Sequence, residues 1–280
     1  MIPLEDPTRV AVLGSGAWGT ALAHLLARTG HDVALWCHEP DVAASIQRNR
    51  TNPYLEGVAL PEALRATPDL AGAVEGAEVV LSVSPSQFVG SVMEAAAVHL
   101  AADALVVSAS KGIEHATLRR MDEVMADLLP TAIMERFTVL SGPSFAAEVA
   151  REAPTAVVAA SDDPEAARTV QHLFQTESFR VYTNPDVVGV ELGGALKNVI
   201  ALAAGVASGL GFGHNTLAAL ITRGLAEMRR LGVALGARRE TFSGLAGMGD
   251  LVLTCTGDLS RNRTVGRRLG AGERLEDILD

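Results

Sequence analysis

The first two thirds of this chain alternate short apolar runs with stretches of helical length, and this alternation constrains the fold more than any other feature. The runs are rich in Val, Leu and Ala and lie at residues 10–13, 33–36, 79–83, 104–109, 137–140 and 156–160. Continuous apolar runs of this length are typical of strands buried on both faces. Stretches such as 20–29 and 117–129 fit helices between them. The chain therefore predicts a parallel, doubly wound α/β sheet, with a last run at 179–182 at its edge.

A glycine-rich string, Gly14-Ser15-Gly16-Ala17-Trp18-Gly19, follows the first run and opens the first helix. In such a string Gly14 permits the tight turn, Gly16 lets a pyrophosphate approach the backbone, and Gly19 lets helix and strand pack closely. The phosphates then lie at the helix N-terminus. In this context the string predicts a dinucleotide-binding, Rossmann-type fold rather than a plain turn.

The end of the second strand usually separates NAD from NADP, because an acidic residue there bonds the ribose hydroxyls and a cation accepts a 2′-phosphate. Here the strand ends in Trp36-Cys37-His38-Glu39, with no acid at its tip. His38 suits either cofactor and Glu39 suits a ribose, while a solvated loop explains both residues equally well. The predicted cofactor is NAD(P)H, with the preference left open and leaning toward NADP.

The pattern changes near residue 186. The string Asn184-Pro185-Asp186 predicts a helix start, with Asn as the N-cap and Pro at the first helical position. From Val187 onward Ala, Gly and Leu recur at helical spacing, and no later run resembles a strand. We predict a dinucleotide-binding domain at residues 1–185, with an N-terminal doubly wound Rossmann-type sheet. A C-terminal all-helical domain at 186–280 is predicted to carry substrate and catalytic residues.

Composition excludes several classes of function. The 280 residues carry a formal net charge of −10, and the phosphate backbone of nucleic acids repels so acidic a protein. Two cysteines, and an N-terminus with acids where a signal peptide has cations, predict a cytoplasmic protein. The longest weakly polar stretch, residues 199–213, is shorter than the ~20 residues of a membrane-spanning helix. No membrane span is predicted, and no residue spacing indicates a metal site.

Three strands end in small polar turns: Ser84-Pro85-Ser86, Ser110-Lys111-Gly112 and Ser141-Gly142-Pro143-Ser144. Each one alone is explained by favoured turn residues. Together they lie at the carboxyl edge of one sheet, where α/β proteins bind ligands. Lys111 is one of only two lysines in the chain, and its place between a strand end and a glycine favours contact with an anion or a carbonyl.

The second lysine, Lys197, lies in the string Glu191-Leu-Gly-Gly-Ala-Leu-Lys-Asn198 early in the first helix of the helical domain. Its side chain leans toward Gly193 and Gly194. The two glycines fit either close helix packing or a cleared pocket floor beneath a proton-donating lysine. Asp250 fits either a loop cap or a partner that holds Lys197. Farther on, Arg261 and Asn262 offer planar donors suited to a phosphate.

With these residues assembled, the chain closely resembles the bacterial-type NAD(P)-dependent glycerol-3-phosphate dehydrogenases over nearly its whole length. The resemblance is carried by GSGAWGTALA (14–23), NPYLEGVALP (52–61), SKG (110–112), SGPSFAAEVA (141–150), GVELGGALKNVIALAAG (189–205), GFGHNTLAALITRGLAEM (211–228), GLAGMGDLVLTCT (244–256) and SRNR (260–263). It implies reversible reduction of dihydroxyacetone phosphate to sn-glycerol 3-phosphate, feeding glycerophospholipid synthesis. The family usually has an Arg shortly after the Pro-Ser turn, where Gln87-Phe88-Val89 has none, and often has an Arg near the end of the second strand, where this chain has His38. The family also usually continues beyond the position of Asp280.

The resemblance also implies roles for individual residues. Lys197 matches the catalytic acid/base, Asp250 matches a residue of the catalytic site, and Lys111 matches a lysine that contacts both cofactor and substrate. The matching substrate-contacting positions are Gly142, Ser144, Asp250, Ser260, Arg261 and Asn262. The matching cofactor-contacting positions, besides the glycine string, are Ala17, Trp18, His38, Ala146 and Arg261.

Two rival functions remain at this point. One is a dehydrogenase of the same architecture that acts on a different 2-keto or 2-hydroxy substrate. The other is a non-catalytic protein that senses a dinucleotide, for which Lys197, Asp250 and Arg261 together would have no use. The number of subunits is not set by the sequence, which is compatible with a homodimer.

Overall fold

The computed structural model describes residues 7–279 and contains one eight-stranded sheet with the order β3-β2-β1-β4-β5-β6-β7-β8. Strand β1 pairs in parallel with β2 and β4, and the pairs β2–β3, β4–β5, β5–β6 and β7–β8 are parallel as well. The predicted doubly wound sheet is confirmed, and β8 lies at its edge as expected. The strands are β1 (Arg9–Leu13), β2 (Asp32–Trp36), β3 (Arg65–Thr67), β4 (Val79–Ser82), β5 (Leu105–Ser108), β6 (Thr138–Ser141), β7 (Thr155–Ala160) and β8 (Phe179–Asn184).

Helices connect the strands and then make up the remainder of the described chain. They are α1 (Ala17–Arg28), α2 (Pro40–Asn49), α3 (Leu70–Val74), α4 (Val89–Ala97), α5 (Met121–Ala126), α6 (Thr131–Met134), α7 (Ala146–Ala150), α8 (Pro164–Phe174), α9 (Val187–Gly209), α10 (His214–Ala234), α11 (Asp250–Thr256), α12 (Arg261–Gly270) and α13 (Leu275–Leu279), with a 3-10 turn at Arg239–Ser243 and a π turn at Leu245–Gly249.

The strands form where the apolar runs predict them because the central ones are covered on both faces. All four residues of β4, of β5 and of β6 are buried. Strand β3 was not predicted, because its residues Arg-Ala-Thr show no apolar run. It exists through pairing of Arg65–Thr67 with Ala34–Trp36 at the sheet edge, which is a tertiary contact that local pattern does not report.

Two helix starts differ from the prediction. Residues 117–120 are not helical, because Leu118 has a φ of 58° and α5 begins only at Met121. There the carboxylate of Glu123 accepts a hydrogen bond from the backbone N–H of Arg120 and caps the helix.

At the start of α9, Asn184 ends β8, and its side chain accepts a hydrogen bond from the backbone N–H of Asp186 at 2.9 Å. Helix α9 therefore begins at Val187, and Pro185 precedes it.

Contacts divide the chain into two compact units. The N-terminal unit comprises the described residues up to 140 together with 144–187, and the C-terminal unit comprises 141–143 and the described residues from 188 onward. The grouping of residues 141–143 with the helical part was not predicted. The C-terminal unit is helical throughout its described residues apart from loops and turns, as predicted.

Helix α9 is longer than the 199–213 stretch considered in the sequence. It has 23 residues, and an 18-residue window of it reaches a mean hydropathy of 1.5, which is apolar enough for a membrane span by length and composition. More than half of that window is buried inside the protein, as expected for the core helix of a folded domain.

Four glycines let α9 and α12 pack with their backbones in contact. A Cβ added at Gly205 would lie 2.2 Å from the carbonyl oxygen of Arg263, and one at Gly266 would lie 2.1 Å from that of Leu202. One turn later, Gly209 and Gly270 make the corresponding approach to the other helix. Because 205 pairs with 266 and 209 with 270, the two helices run in the same direction. We call these four residues the glycine strip.

Candidate active site

The glycine string is built as a dinucleotide loop in the N-terminal unit. Gly14 has a φ of 127°, and a Cβ on it would lie 3.0 Å from the carbonyl group of Val83 at the end of the β4 segment. A Cβ on Gly19 would lie 1.9 Å from the carbonyl oxygen of Gly14. Both positions therefore require glycine for the reasons predicted, a left-handed turn and close packing of helix on loop.

The free space and the polar groups of this loop fit a dinucleotide. A Cβ on Gly16, the N-cap of α1, would meet nothing within 4 Å, so a ligand can approach the backbone here. Ala17 and Trp18 pack against the core, and the indole Nε1 of Trp18 is buried without a hydrogen-bond partner among the described residues. At the end of β2, His38 and Glu39 are exposed, and Glu39 accepts a 3.4 Å hydrogen bond from the hydroxyl of Tyr54.

The turns after β4 and β5 are joined to each other, as their shared sheet edge predicts. The Ser110 hydroxyl donates to the carbonyl oxygen of Ser84 at 2.6 Å, and the Ser84 hydroxyl donates to that of Leu13 at 3.2 Å. A Cβ on Gly112, which has a φ of 153°, would lie 2.4 Å from the hydroxyl of Ser86. These contacts fix the backbone on both sides of Lys111, which is half-buried.

Gln87, which stands near the place where the family has an Arg, fastens the loop after Lys111. Its side-chain Nε2 donates to the carbonyl oxygen of Ile113 at 2.8 Å, and its Oε1 accepts from the N–H of His115 at 2.9 Å. No role was predicted for Gln87, because a glutamine in a turn has no recognisable spacing to residues 26 and 28 positions away.

The third predicted turn is divided between the units. Gly142 and Pro143 belong to the C-terminal unit, where Pro143 Cγ lies 3.5 Å from the position of a Cβ on Gly249. Gly249 directly precedes Asp250 in the chain, so this turn contacts the segment that leads into that carboxylate. Ser144 belongs to the N-terminal unit, as does Ala146, the first residue of α7.

The C-terminal unit holds a buried cluster of Lys197, Asp250 and Thr254. Lys197 Nζ lies 2.9 Å from Asp250 Oδ1 and 2.8 Å from Thr254 Oγ1. The three residues are 8%, 1% and 5% exposed. The Thr254 hydroxyl also donates to the carbonyl oxygen of Asp250 at 2.6 Å. Of the two roles left open for Asp250, the structure shows the partner of Lys197. Thr254 was not predicted, and its only signal in the sequence is its position one helical turn after Asp250.

Gly193 permits this cluster through close packing. A Cβ on Gly193 would lie 2.3 Å from the carbonyl oxygen of Ala246, in the π turn that leads into Asp250. Of the two interpretations left open for this position, the structure supports close packing and not a cleared pocket floor, because the backbone of residue 246 fills the space. The absent side chain instead lets the turn approach α9 one helical turn before Lys197.

The glycine strip brings the start of α12 to the level of Lys197. Arg261 precedes Gly266 by five residues and Lys197 precedes Gly205 by eight. At ~1.5 Å per residue the start of α12 thus lies within about one turn of Lys197 along α9. The Ser260 hydroxyl caps this start by accepting from the N–H of Arg263 at 3.2 Å. Arg261 is exposed and Asn262 half-buried, so both are available to a ligand at a helix N-terminus.

Comparison with known sequences identifies the family. The model of the NAD-dependent glycerol-3-phosphate dehydrogenase N-terminus matches residues 9–167, and that of the C-terminus matches residues 186–280. The chain belongs to the NAD-dependent glycerol-3-phosphate dehydrogenase family. The resemblance seen in the sequence strings is thereby confirmed.

Individual members of the family are similar over almost the whole chain. The glycerol-3-phosphate dehydrogenases [NAD(P)+] of Geobacter sulfurreducens and Geobacter metallireducens are 59% and 61% identical to it, over 97% of this chain and 81% of each relative. The crystal structure of the glycerol-3-phosphate dehydrogenase from Coxiella burnetii superposes with a TM-score of 0.92 at 41% identity, covering 98% of this chain and 83% of that one.

Both cysteines of this family member are expected to resist alkylation while the protein is folded. Burial raises the pKa of Cys255 to about 11, although the cations Lys197 and Arg263 act in the opposite direction. Burial also raises the pKa of Cys37, beside Ser15 in the glycine string. Since the thiolate is the nucleophile, only about one Cys255 in a thousand is reactive at pH 8. Mass spectrometry after iodoacetamide treatment at pH 8 should find neither residue modified.

Two controls accompany the labelling of the cysteines. Guanidinium-unfolded protein should label at both cysteines, and an Ala218→Cys variant should label in the folded state at the introduced thiol on α10. Ala218 is exposed, whereas Cys255 is buried. Labelling of Cys255 in the folded protein as fast as the introduced thiol would show that the Lys197 cluster opens to solvent.

Proposed function

We propose that this chain catalyses the reversible NAD(P)H-dependent reduction of dihydroxyacetone phosphate to sn-glycerol 3-phosphate. The observation that carries the proposal is the buried ion pair of Lys197 and Asp250, whose lysine lies within about one helical turn of the N-terminus of α12 when the offset is measured along α9. An ammonium group suits the oxygen of a ketone that becomes an alcohol. A helix N-terminus with an Arg and an Asn suits a phosphate.

The C-terminal unit supplies the proton and holds the substrate. Lys197 donates its proton to the oxygen that develops negative charge at C2. Asp250 accepts a hydrogen bond from the same ammonium group and orients it, and Thr254 fixes it from a second direction. Arg261, Asn262 and the first N–H groups of α12 bind the phosphate, which fixes the ketone relative to Lys197. Gly142, Ser144 and Ser260 are assigned further substrate contacts.

The N-terminal unit holds the nucleotide. Gly14, Gly16 and Gly19 shape the loop. The backbone N–H groups of Ser15 through Trp18 would hold the pyrophosphate, and His38 would contact the ribose end of the nucleotide. Ala146 and Arg261 are assigned further contacts with the cofactor. When bound, NAD(P)H supplies the hydride that reduces the carbonyl carbon. Lys111 adds positive potential for cofactor and substrate. In this proposal residues 1–185 form the dinucleotide-binding domain and 186–280 the substrate and catalytic domain.

An absorbance assay at the nicotinamide band tests the function. Dihydroxyacetone phosphate should be reduced with NADPH and with NADH, and the ratio of the two kcat/KM values decides the preference, which we place on the side of NADPH. Dihydroxyacetone, which lacks only the phosphate, is the matched control and should lose at least about a hundredfold in kcat/KM. Turnover of a different 2-keto substrate would indicate another dehydrogenase, and tight nucleotide binding without any turnover would indicate a sensor. A cytoplasmic location and a homodimer stay predictions.

A further inference from the structure

A buried asparagine outside the assigned site holds the glycine string. Asn52 lies between α2 and β3, 37 positions from Ser15 in the chain, and is 2% exposed. Its Nδ2 donates to the carbonyl oxygen of Ser15 at 2.9 Å and to Thr20 Oγ1 at 2.7 Å. Its Oδ1 accepts from the backbone N–H of Tyr54 at 2.8 Å. Both ends of the buried amide are therefore bonded, which fixes its orientation.

The Ser15 carbonyl is held from two sides. Besides the bond from Asn52, it accepts a 3.1 Å hydrogen bond from the hydroxyl of Thr20. Asn52 and Thr20 are also bonded to each other, so Ser15, Thr20 and Asn52 form a closed triangle. All three residues are buried, and hydrogen bonds shielded from water hold a geometry more firmly than exposed ones.

The orientation of this carbonyl sets the direction of the next N–H group. A trans peptide is planar, so its C=O and N–H point in opposite directions. With the Ser15 oxygen turned inward toward Asn52, the N–H of Gly16 must point away from Asn52. Gly16 is the N-cap of α1, and a Cβ added to it would meet nothing within 4 Å, so the loop is open at this residue. A pyrophosphate bound at the N-terminus of α1 would approach the loop here.

We propose that Asn52 is a positioning residue for the nucleotide: through the Ser15 carbonyl it presets the Gly16 N–H for the pyrophosphate. The inference rests on the proposed binding of a dinucleotide, although it does not depend on which ketone is reduced. Asn52 itself touches neither the cofactor nor the substrate in this role. Its removal costs nucleotide affinity, because a loop that must be ordered on binding binds more weakly than one ordered beforehand.

The test compares Asn52→Leu, which keeps the size and removes the hydrogen bonds, with Asn49→Leu, a matched change at an exposed position of α2. The Kd of NADPH, measured by nicotinamide fluorescence, should rise about tenfold to a hundredfold for Asn52→Leu and stay unchanged for Asn49→Leu. At saturating NADPH, kcat should stay within about threefold of the original value. Hydrogen exchange at Gly16 without nucleotide should become faster.

A second variant tests the same positioning role if Asn52→Leu does not fold. Thr20→Val retains the shape of the side chain and removes the other donor to the Ser15 carbonyl, so it should raise the same Kd. A Kd of NADPH within about twofold of the original in either folded variant, or a fall in kcat at unchanged Kd, would overturn the positioning role. Original protein that binds NADPH but leaves dihydroxyacetone phosphate unreduced would contradict the proposed function alone, since the Kd and exchange comparisons still decide the role of Asn52.

Discussion

Replacing Lys197 by Met is expected to lower kcat/KM for dihydroxyacetone phosphate by roughly a hundredfold to ten-thousandfold, the range that one positioned general acid contributes. Methionine keeps the length of the side chain and removes the ammonium group, which is the proposed proton donor. Lys197 Nζ is held by Asp250 and Thr254 at 2.9 and 2.8 Å. Neither of these two residues is a cation, so neither replaces the lost ammonium group. The measurement is kcat/KM by absorbance, together with the Kd of NADPH, which should change less than about threefold.

The same substitution leaves the Asp250 carboxylate buried without its cation, which costs about 3–5 kcal/mol of folding free energy. Loss of activity alone would therefore be ambiguous. The variant Lys197→Met with Asp250→Asn removes both charges and keeps the shape of each side chain. We expect thermal stability to return toward the original value in this double variant while the activity remains lost. A stable double variant with kcat/KM within about tenfold of the original would rule out proton transfer by Lys197.

A variant of Thr254 distinguishes holding the Lys197 ammonium group in place from donating its proton. Thr254→Val removes one hydrogen-bond partner of Lys197 and leaves the Asp250 pair in place. Its effect on kcat should lie between those of the original protein and Lys197→Met. The three residues act as one unit, so their effects are not expected to add.

Local pattern was sufficient for every strand except β3 and for the glycine string, because these depend on neighbouring residues in the sequence. A strand buried on both faces needs a continuous apolar run, and the loop needs glycine where φ is 127° at Gly14. The edge strand β3 escaped the prediction because its three residues are ordered by pairing with β2, which the local sequence does not show. Polar residues can form a strand where a neighbouring strand supplies the backbone hydrogen bonds.

The candidate site was predicted only in part, for a related reason. Lys197 and Asp250 were singled out by residue type and surroundings, although 53 positions separate them. Thr254 and Asn52 carry no such signal, since threonine in a helix and asparagine in a loop are ordinary. Their importance lies in what they contact 57 and 37 positions away. Gly193 shows the converse: the sequence drew attention to it, yet its space is filled by the backbone of Ala246.

The second large expected effect is a loss of stability when a glycine of the glycine strip is replaced. Gly266→Ala is expected to destabilise the protein by about 1–3 kcal/mol, because overpacking forces the two backbones apart. In an exposed helix the same change would stabilise the protein by up to about 1 kcal/mol. The sign of the change in the free energy of unfolding therefore tests whether the two backbones are in contact. The added Cβ would lie 2.1 Å from the carbonyl oxygen of Leu202, which belongs to the backbone and cannot rotate away. Thermal unfolding should shift downward by on the order of 5 °C.

Gly90→Ala on α4 is the matched control, because its Cβ would meet side-chain atoms of Val124 and Glu114 at ordinary distances of 3.5 and 3.6 Å. Its stability should stay the same or rise. The strip also sets where Arg261 and Asn262 stand relative to Lys197, so Gly266→Ala should raise the KM for dihydroxyacetone phosphate several-fold more than the KM for dihydroxyacetone. Equal changes in the two KM values would mean that separating the helices does not disturb the phosphate end of the substrate. A rise in stability with Gly266→Ala would mean that the backbones of α9 and α12 are not in contact at all.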